Sequence, residues 1–208
     1  HEYGVKADEM QWVVTSKSSD TKDAVSKNES LLPEGVPIRQ GPGGKDESEL
    51  HVSGEVDALF HAAEPKAFVV GDPNCVRLFP DYRKVEREYF AKTGIFPIMH
   101  AVAIRKNVAE KHPWLPAAMF RAYSQAKQLT YAYLEKWAWA MESLPWLPQE
   151  FQETRELMGK NYWSYGIPPN RKALEALFQY SHEQGLSKRL LRVEELFHPS
   201  TLELVEEV

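Results

Sequence analysis

Histidine and arginine define the chemistry this sequence could perform. His100 stands in Phe96–Ile104 (FPIMHAVAI), a run that is otherwise apolar. From Pro97 to Ile104 the run reads as a strand buried on both faces, where an imidazole needs a specific partner. One reading is a core histidine satisfied by hydrogen bonds. The other is a general acid or a hydrogen-bond donor to substrate, because imidazole changes protonation near neutral pH without special tuning. His61 closes a second expected strand, Glu55–His61 (EVDALFH). Strand ends are where α/β folds present ligand contacts, although a solvated strand end is an equal reading. Arg77, between Val76 and Leu78, could clamp a carboxylate with its planar fork and is expected to be partly buried and paired. Arg105, beside Lys106, is expected to end its strand in solvent.

Other chemistry is poorly supported. The chain has seven histidines, but they form no i, i+4 helical pair and no Cys/His cluster, so no metal site is expected. Gly41–Lys45 (GPGGK) lacks the glycine spacing of a phosphate loop and the Ser or Thr that should follow the lysine, and reads as a turn. Tyr162 and Trp163 open an aromatic, proline-punctuated loop, Tyr162–Pro169 (YWSYGIPP), and are the aromatic residues placed to stack on a ring. Tyr131, Tyr133, Trp137, Trp139 and Trp146 read as core.

These residues need elements to position them. Met10–Thr15 and Val36–Gln40 read as strands, separated by a polar loop that begins as Ser16–Ser30. A short amphipathic stretch then ends at Ser53-Gly54. Pro80–Phe90 has helical spacing. Leu115, Met119, Ala122, Ala126, Leu129, Tyr133 and Trp137 recur at steps of three or four, which predicts a long amphipathic helix with those residues as its apolar stripe. His112 is expected to cap its start, and Pro145–Pro148 to end it. Gln149–Met158 is a further helix. Asn170 reads as the N-cap of the next one, with Leu174, Leu177 and Phe178 as its buried stripe and Gly185 as its stop. Glu194–Phe197 and Pro199–Val208 offer two short helical pieces. The fold class is therefore α/β, with a strand-rich N-terminal half and a helical C-terminal half.

With 208 residues, 43% hydrophobic and 26% charged, the composition is that of a globular protein holding one core or two small lobes. A net charge of -5 gives no nucleic-acid footprint, and no apolar run is long enough to span a membrane. Cys75 is the single cysteine, which excludes an internal disulfide and leaves the compartment open. The chain begins His1-Glu2-Tyr3-Gly4 without Met or a leader, so encoded residues upstream are expected.

Three long stretches carry a resemblance: Leu78–Leu115 (LFPDYRKVEREYFAKTGIFPIMHAVAIRKNVAEKHPWL), Ser164–Arg189 (SYGIPPNRKALEALFQYSHEQGLSKR) and Glu194–Glu203 (EELFHPSTLE), with Ser53–Phe60 (SGEVDALF) in support. They resemble the 4,5-dihydroxyphthalate decarboxylase family, whose members look like periplasmic-binding-protein type II folds. The resemblance implies two α/β lobes with a ligand cleft. Residues 1–95 would be a partial second lobe, and residues 96–208 a crossing strand with the helical part of the first lobe. It further implies a decarboxylase of a dihydroxylated aromatic acid that needs no cofactor. His100 would be the proton donor, Arg77 would hold a carboxylate, His61 would bond a ring hydroxyl and Phe96 would pack on the ring. The expected partner is a small aromatic carboxylate, in the cytoplasm. Because the family's N-terminal segment has no counterpart, a missing segment or a second copy is expected to complete the fold. The alternative is a periplasmic solute-binding protein that captures a small organic or aromatic anion for an ABC-type transporter, since fold alone does not separate capture from catalysis.

Overall fold

A computed structural model describes residues 1–15, 17, 36–141 and 143–206, with side chains described outside 137–141. Apart from Lys17, the loop expected at Ser16–Ser30 lies outside the described residues. The fold is mixed α/β, and its contacts separate two units, His1–Tyr82 with Ser181–Arg189 and Arg83–Tyr180 with Leu190–Val208.

In the first unit, β1 (Trp12–Val14) and β2 (Ile38–Gln40) pair in parallel, with Trp12 opposite Ile38 and Val14 opposite Gln40. The Gly41 N–H then donates to the Val14 carbonyl at 2.9 Å. A Cβ on Gly41 would stand 3.1 Å from Val13 Cγ1 and 3.4 Å from Leu50 Cδ1, so its absence lets the next helix approach the strands. That helix, α1 (Glu47–Val52), begins with a capping box. The Glu49 N–H donates to Asp46 Oδ1 and the Asp46 N–H donates to Glu49 Oε2, each at 2.9 Å. Ser48, buried on α1, accepts the Ala67 N–H at 3.1 Å and so ties down α2 (Lys66–Val69).

Leu50, 2% exposed, is the centre of this small core, with Ala67 and Cys75 buried as well. Burial pushes the Cys75 thiol up, and the Asp72 carboxylate adds to the rise. Leu50→Ala is expected to cost about 2–5 kcal/mol of stability by leaving a cavity. Urea unfolding followed by circular dichroism checks this, and an unchanged midpoint would show that the first unit does not depend on that core.

The second unit contains α3 (Tyr82–Thr93, from Arg83 onward), α4 (Lys106–Lys111), α5 (Leu115–Met141), α6 (Leu147–Met158), α7 (Ile167–Glu183, through Tyr180) and α8 (Val193–Leu196). Its core is Ile167, Leu174, Phe178 and Val193, with Ile98, Leu191, Phe197 and Leu202 packed against it. Charge joins α3 to α6, since Arg83 Nη2 lies 2.5 Å from Glu150 Oε1 and 2.6 Å from Glu153 Oε2. Arg155 of α6 reaches Glu135 of α5 at 2.6 Å. At the end of α7 a left-handed Gly185, φ 74°, lets the Leu186 N–H return to the Ser181 carbonyl at 2.9 Å.

Several expectations need correction. Glu55–His61 is not a strand. The Glu55 and Val56 N–H groups both turn back to the Leu50 carbonyl at 3.0 and 3.4 Å, and Phe60 is 98% exposed. Pro97–Ile104 is not a buried strand either. It is irregular, with Met99, His100 and Val102 exposed, because the described strands, β1 and β2, pair only with each other. Among the described residues the N-terminal half is accordingly not strand-rich: their regular sheet is one pair of three-residue strands.

The long helix is present, but its expected apolar stripe is covered only at its start, where Leu115 and Met119 are half-buried, and the side chain of Trp137 lies outside the described residues. Leu129 and Tyr133 are exposed, as are Ala122 and Ala126, while Phe120, Ser124, Lys127, Gln128 and Tyr131 turn inward. The backbone of His112 meets the start of α5 through a bond from the Leu115 N–H. α7 starts at Ile167, three residues before the expected N-cap, with Pro168 and Pro169 in the first turn, where a missing N–H costs nothing. Leu177 of α7 is exposed, unlike Leu174 and Phe178.

Candidate functional site

Asn170 sits inside α7, where its side chain takes a different role. Its Nδ2 donates to the carbonyls of Ser164 and Gly166 at 2.9 and 2.8 Å and pins the aromatic loop against the start of α7. Gly166, at φ 93°, is obligatory there, since a Cβ would stand 2.7 Å from the Leu204 carbonyl oxygen. The loop faces α5 across a groove of about 370 Å³. Tyr123, Lys127 and Tyr131 form the helix wall, and Tyr162, Trp163 and Tyr165 the loop wall. The i, i+4, i+8 spacing of Tyr123, Lys127 and Tyr131 puts all three on one helix face.

A buried ion pair holds the walls together. Lys127 Nζ donates to Glu206 Oε2 and Asn161 Oδ1 at 2.6 Å each and to the Trp163 carbonyl at 2.7 Å, which uses all three of its N–H groups. The same ammonium lies 4.2 Å from the Tyr165 ring centroid and 5.4 Å from that of Tyr131. Glu206 Oε2 also accepts from Asn161 Nδ2 and the Tyr165 N–H at 2.8 Å each. The Lys127 and Glu206 side chains are 6% and 2% exposed.

Burial alone would raise the Glu206 carboxyl, but the donors from Lys127, Tyr165 and Asn161 outweigh it and hold the group below its ordinary value. Burial lowers Lys127, only partly offset by Glu206. Three separate donors thus keep Glu206 a carboxylate inside the pair. Tyr131 accepts the Trp163 N–H at 2.9 Å and stacks on Tyr162 with centroids 4.7 Å apart. Burial pushes its phenol up to about 12.

Phe96 joins this wall, its ring meeting Trp163 edge-on at 5.2 Å. His100, four residues further on, is exposed and makes no hydrogen bond with a described residue. The other two expected site residues belong to the first unit. His61 is not at a strand end. Its Nε2 lies 3.5 Å from Glu47 Oε1 and its Nδ1 contacts the Ala63 backbone. Arg77 is paired, as expected, with Nη2 2.5 Å from Glu64 Oε1 and its guanidinium over the rings of Phe68 and Tyr82, both at 4.8 Å, but its side chain is 42% exposed and not partly buried as expected. Among the described residues no group of His, Cys, Asp and Glu side chains could hold a metal, and no helix is long and apolar enough to cross a membrane.

Sequence reasoning singled out Tyr162, Trp163 and Phe96 but missed Lys127, Asn161 and Glu206. The available signal was the lysine set between tyrosines four residues away on either side.

Fold and groove together define a mixed α/β protein with an aromatic-lined cleft braced by a buried ion pair. No protein-family model matches the chain. A curated protein named 4,5-dihydroxyphthalate decarboxylase, from Comamonas testosteroni, is 37% identical to it over 202 residues, which is 97% of this chain and 61% of that protein. The chain is similar to that decarboxylase, as its long sequence words indicated, and spans about three fifths of its length.

Proposed function

We propose that the protein acts in the decarboxylation of a dihydroxylated aromatic acid of the 4,5-dihydroxyphthalate kind. The observation that carries this is the 37% identity along nearly the whole chain to a protein named for that reaction. The two-lobed binding-protein fold implied by the sequence resemblance belongs to the same proposal.

The chemistry needs an acid and little else. A hydroxyl para to a ring carboxylate donates electrons, so the carbon bearing that carboxylate accepts a proton. The C–C bond to the carboxylate then breaks, its electron pair returns to the ring, and carbon dioxide leaves. His100 supplies the proton from its imidazolium. Phe96 packs on the ring. His61 bonds a ring hydroxyl, and Arg77 holds a carboxylate through N–H groups that Glu64 leaves available. No redox change occurs, so the step balances with one proton taken up and one carbon dioxide released.

Incubating the protein with 4,5-dihydroxyphthalate is expected to release one carbon dioxide for each dihydroxybenzoate formed, measured by gas release with product chromatography. No release above a protein-free control would overturn the proposal.

A further inference from the structure

The groove between α5 and the aromatic loop has features that a merely structural core would not carry. Its volume, about 370 Å³, lies at the lower end of small-molecule pockets, a size suited to one substituted ring. Trp163 and Tyr123 remain 42% and 45% exposed at its walls. In the brace, Glu206 Oε1 is buried with no partner among the described residues, and so are Ser124 Oγ and Gln128 Nε2 on α5, which do not line the groove. Unpaired buried polar atoms are uncommon in a finished core. The walls are tied to each other by the Lys127–Glu206–Asn161 bonds and by the Trp163 N–H to the Tyr131 hydroxyl.

We infer that this groove binds the planar ring of an aromatic acid, with Trp163 and Tyr123 as the stacking faces and the Lys127–Glu206 pair as the positioning brace. The inference rests on the aromatic-acid reading above and adds to it the place and the means of ring recognition. Charge argues for a ring over a cation, because the Lys127 ammonium already occupies the faces of Tyr165 and Tyr131 and would repel a second positive group. All three N–H groups of that ammonium are taken, so it cannot also clamp a carboxylate. Selectivity must then come from flatness and stacking, with the acid groups held outside the groove.

Calorimetry with 3,4-dihydroxybenzoate and with cyclohexanecarboxylate separates stacking from attraction of an anion. The aromatic acid is expected to bind at least about tenfold tighter than the saturated one, and Trp163→Ala to remove about that factor, the scale of one lost aromatic contact. Tyr123→Ala should weaken binding in the same way, and Trp163→Phe should restore most of the loss. Trp146→Ala, which removes a ring 74% exposed and outside the groove, should change nothing. Equal binding of the two acids, no binding of either, or wild-type affinity in both alanine variants would overturn the inference. Ring binding that depends on Trp163, without any carbon dioxide release, would sustain the groove and sink the decarboxylase reading. Full turnover in Trp163→Ala would do the reverse.

Discussion

His100→Gln is expected to lower decarboxylation of 4,5-dihydroxyphthalate by about 10²- to 10⁴-fold, the usual contribution of a positioned general acid. Glutamine keeps the size and one donor of the imidazole but cannot deliver a proton. The exposed position of His100 makes the test clean, because no core contact is lost with the ring. The thermal midpoint should stay at the wild-type value while turnover falls. Steady-state rates of carbon dioxide release, measured beside a melting curve, check both halves. Wild-type turnover in the variant would remove His100 from the mechanism, and equal losses of turnover and folded protein would reassign it to structure.

The second large effect concerns stability. Lys127→Met leaves the Glu206 carboxylate buried without its cation, and is expected to cost about 3–5 kcal/mol, as removal of one partner from a buried pair does. The double change Lys127→Met with Glu206→Leu should recover much of that loss, since no charge is then stranded. Chemical denaturation of the three proteins checks the pattern, and a double variant no more stable than the single one would show that the pair is not coupled.

Acidity gives the same interaction a signature. The folded Glu206 carboxyl lies below its ordinary value of 4.5, so its contribution is fully present above that pH and is lost as pH falls through the depressed value. The wild type should therefore lose stability on acidification below about pH 4.5 faster than the double variant. Parallel pH dependences would remove the pair as the cause.

How much could be read in advance depended on what fixed each residue. The helices were legible because periodicity and caps are local: α3, α5 and α6 fall close to where the spacing puts them. The capping box at Asp46 and the glycine stop at Gly185 are signals of the same local kind. Apolar runs misled. Pro97–Ile104 has the composition of a buried strand, but a strand exists only beside another, and composition does not say whether a neighbour is there. The same limit turned Glu55–His61 into a connector.

Along α5 two stripes share one helix. The aliphatic one, through Ala126 and Leu129, lies outside, while the one carrying Ser124, Lys127 and Gln128 lies inside. A hydrophobicity pattern ranks the first above the second. The inner face is selected by partners at residues 161, 163 and 206, which no local window contains. Trp163 was found early because an aromatic pair in a proline-rich loop is itself a local sign, whereas Asn170 was misassigned because a cap and a loop clamp call for the same side chain.

The brace also sets an order of events during synthesis. Lys127 and Glu206 are 79 residues apart. At about 5–20 residues per second, the ribosome adds Lys127 roughly 4–16 s before it adds the carboxylate that neutralises the lysine. Over that interval the nascent helix carries a wet, charged lysine on the face destined for the interior, and the Asn161 amide and the Tyr165 N–H lack their Glu206 acceptor when the loop emerges. The aromatic wall can close fully only when Glu206 has left the tunnel, so the groove is assembled after the helix that forms its wall.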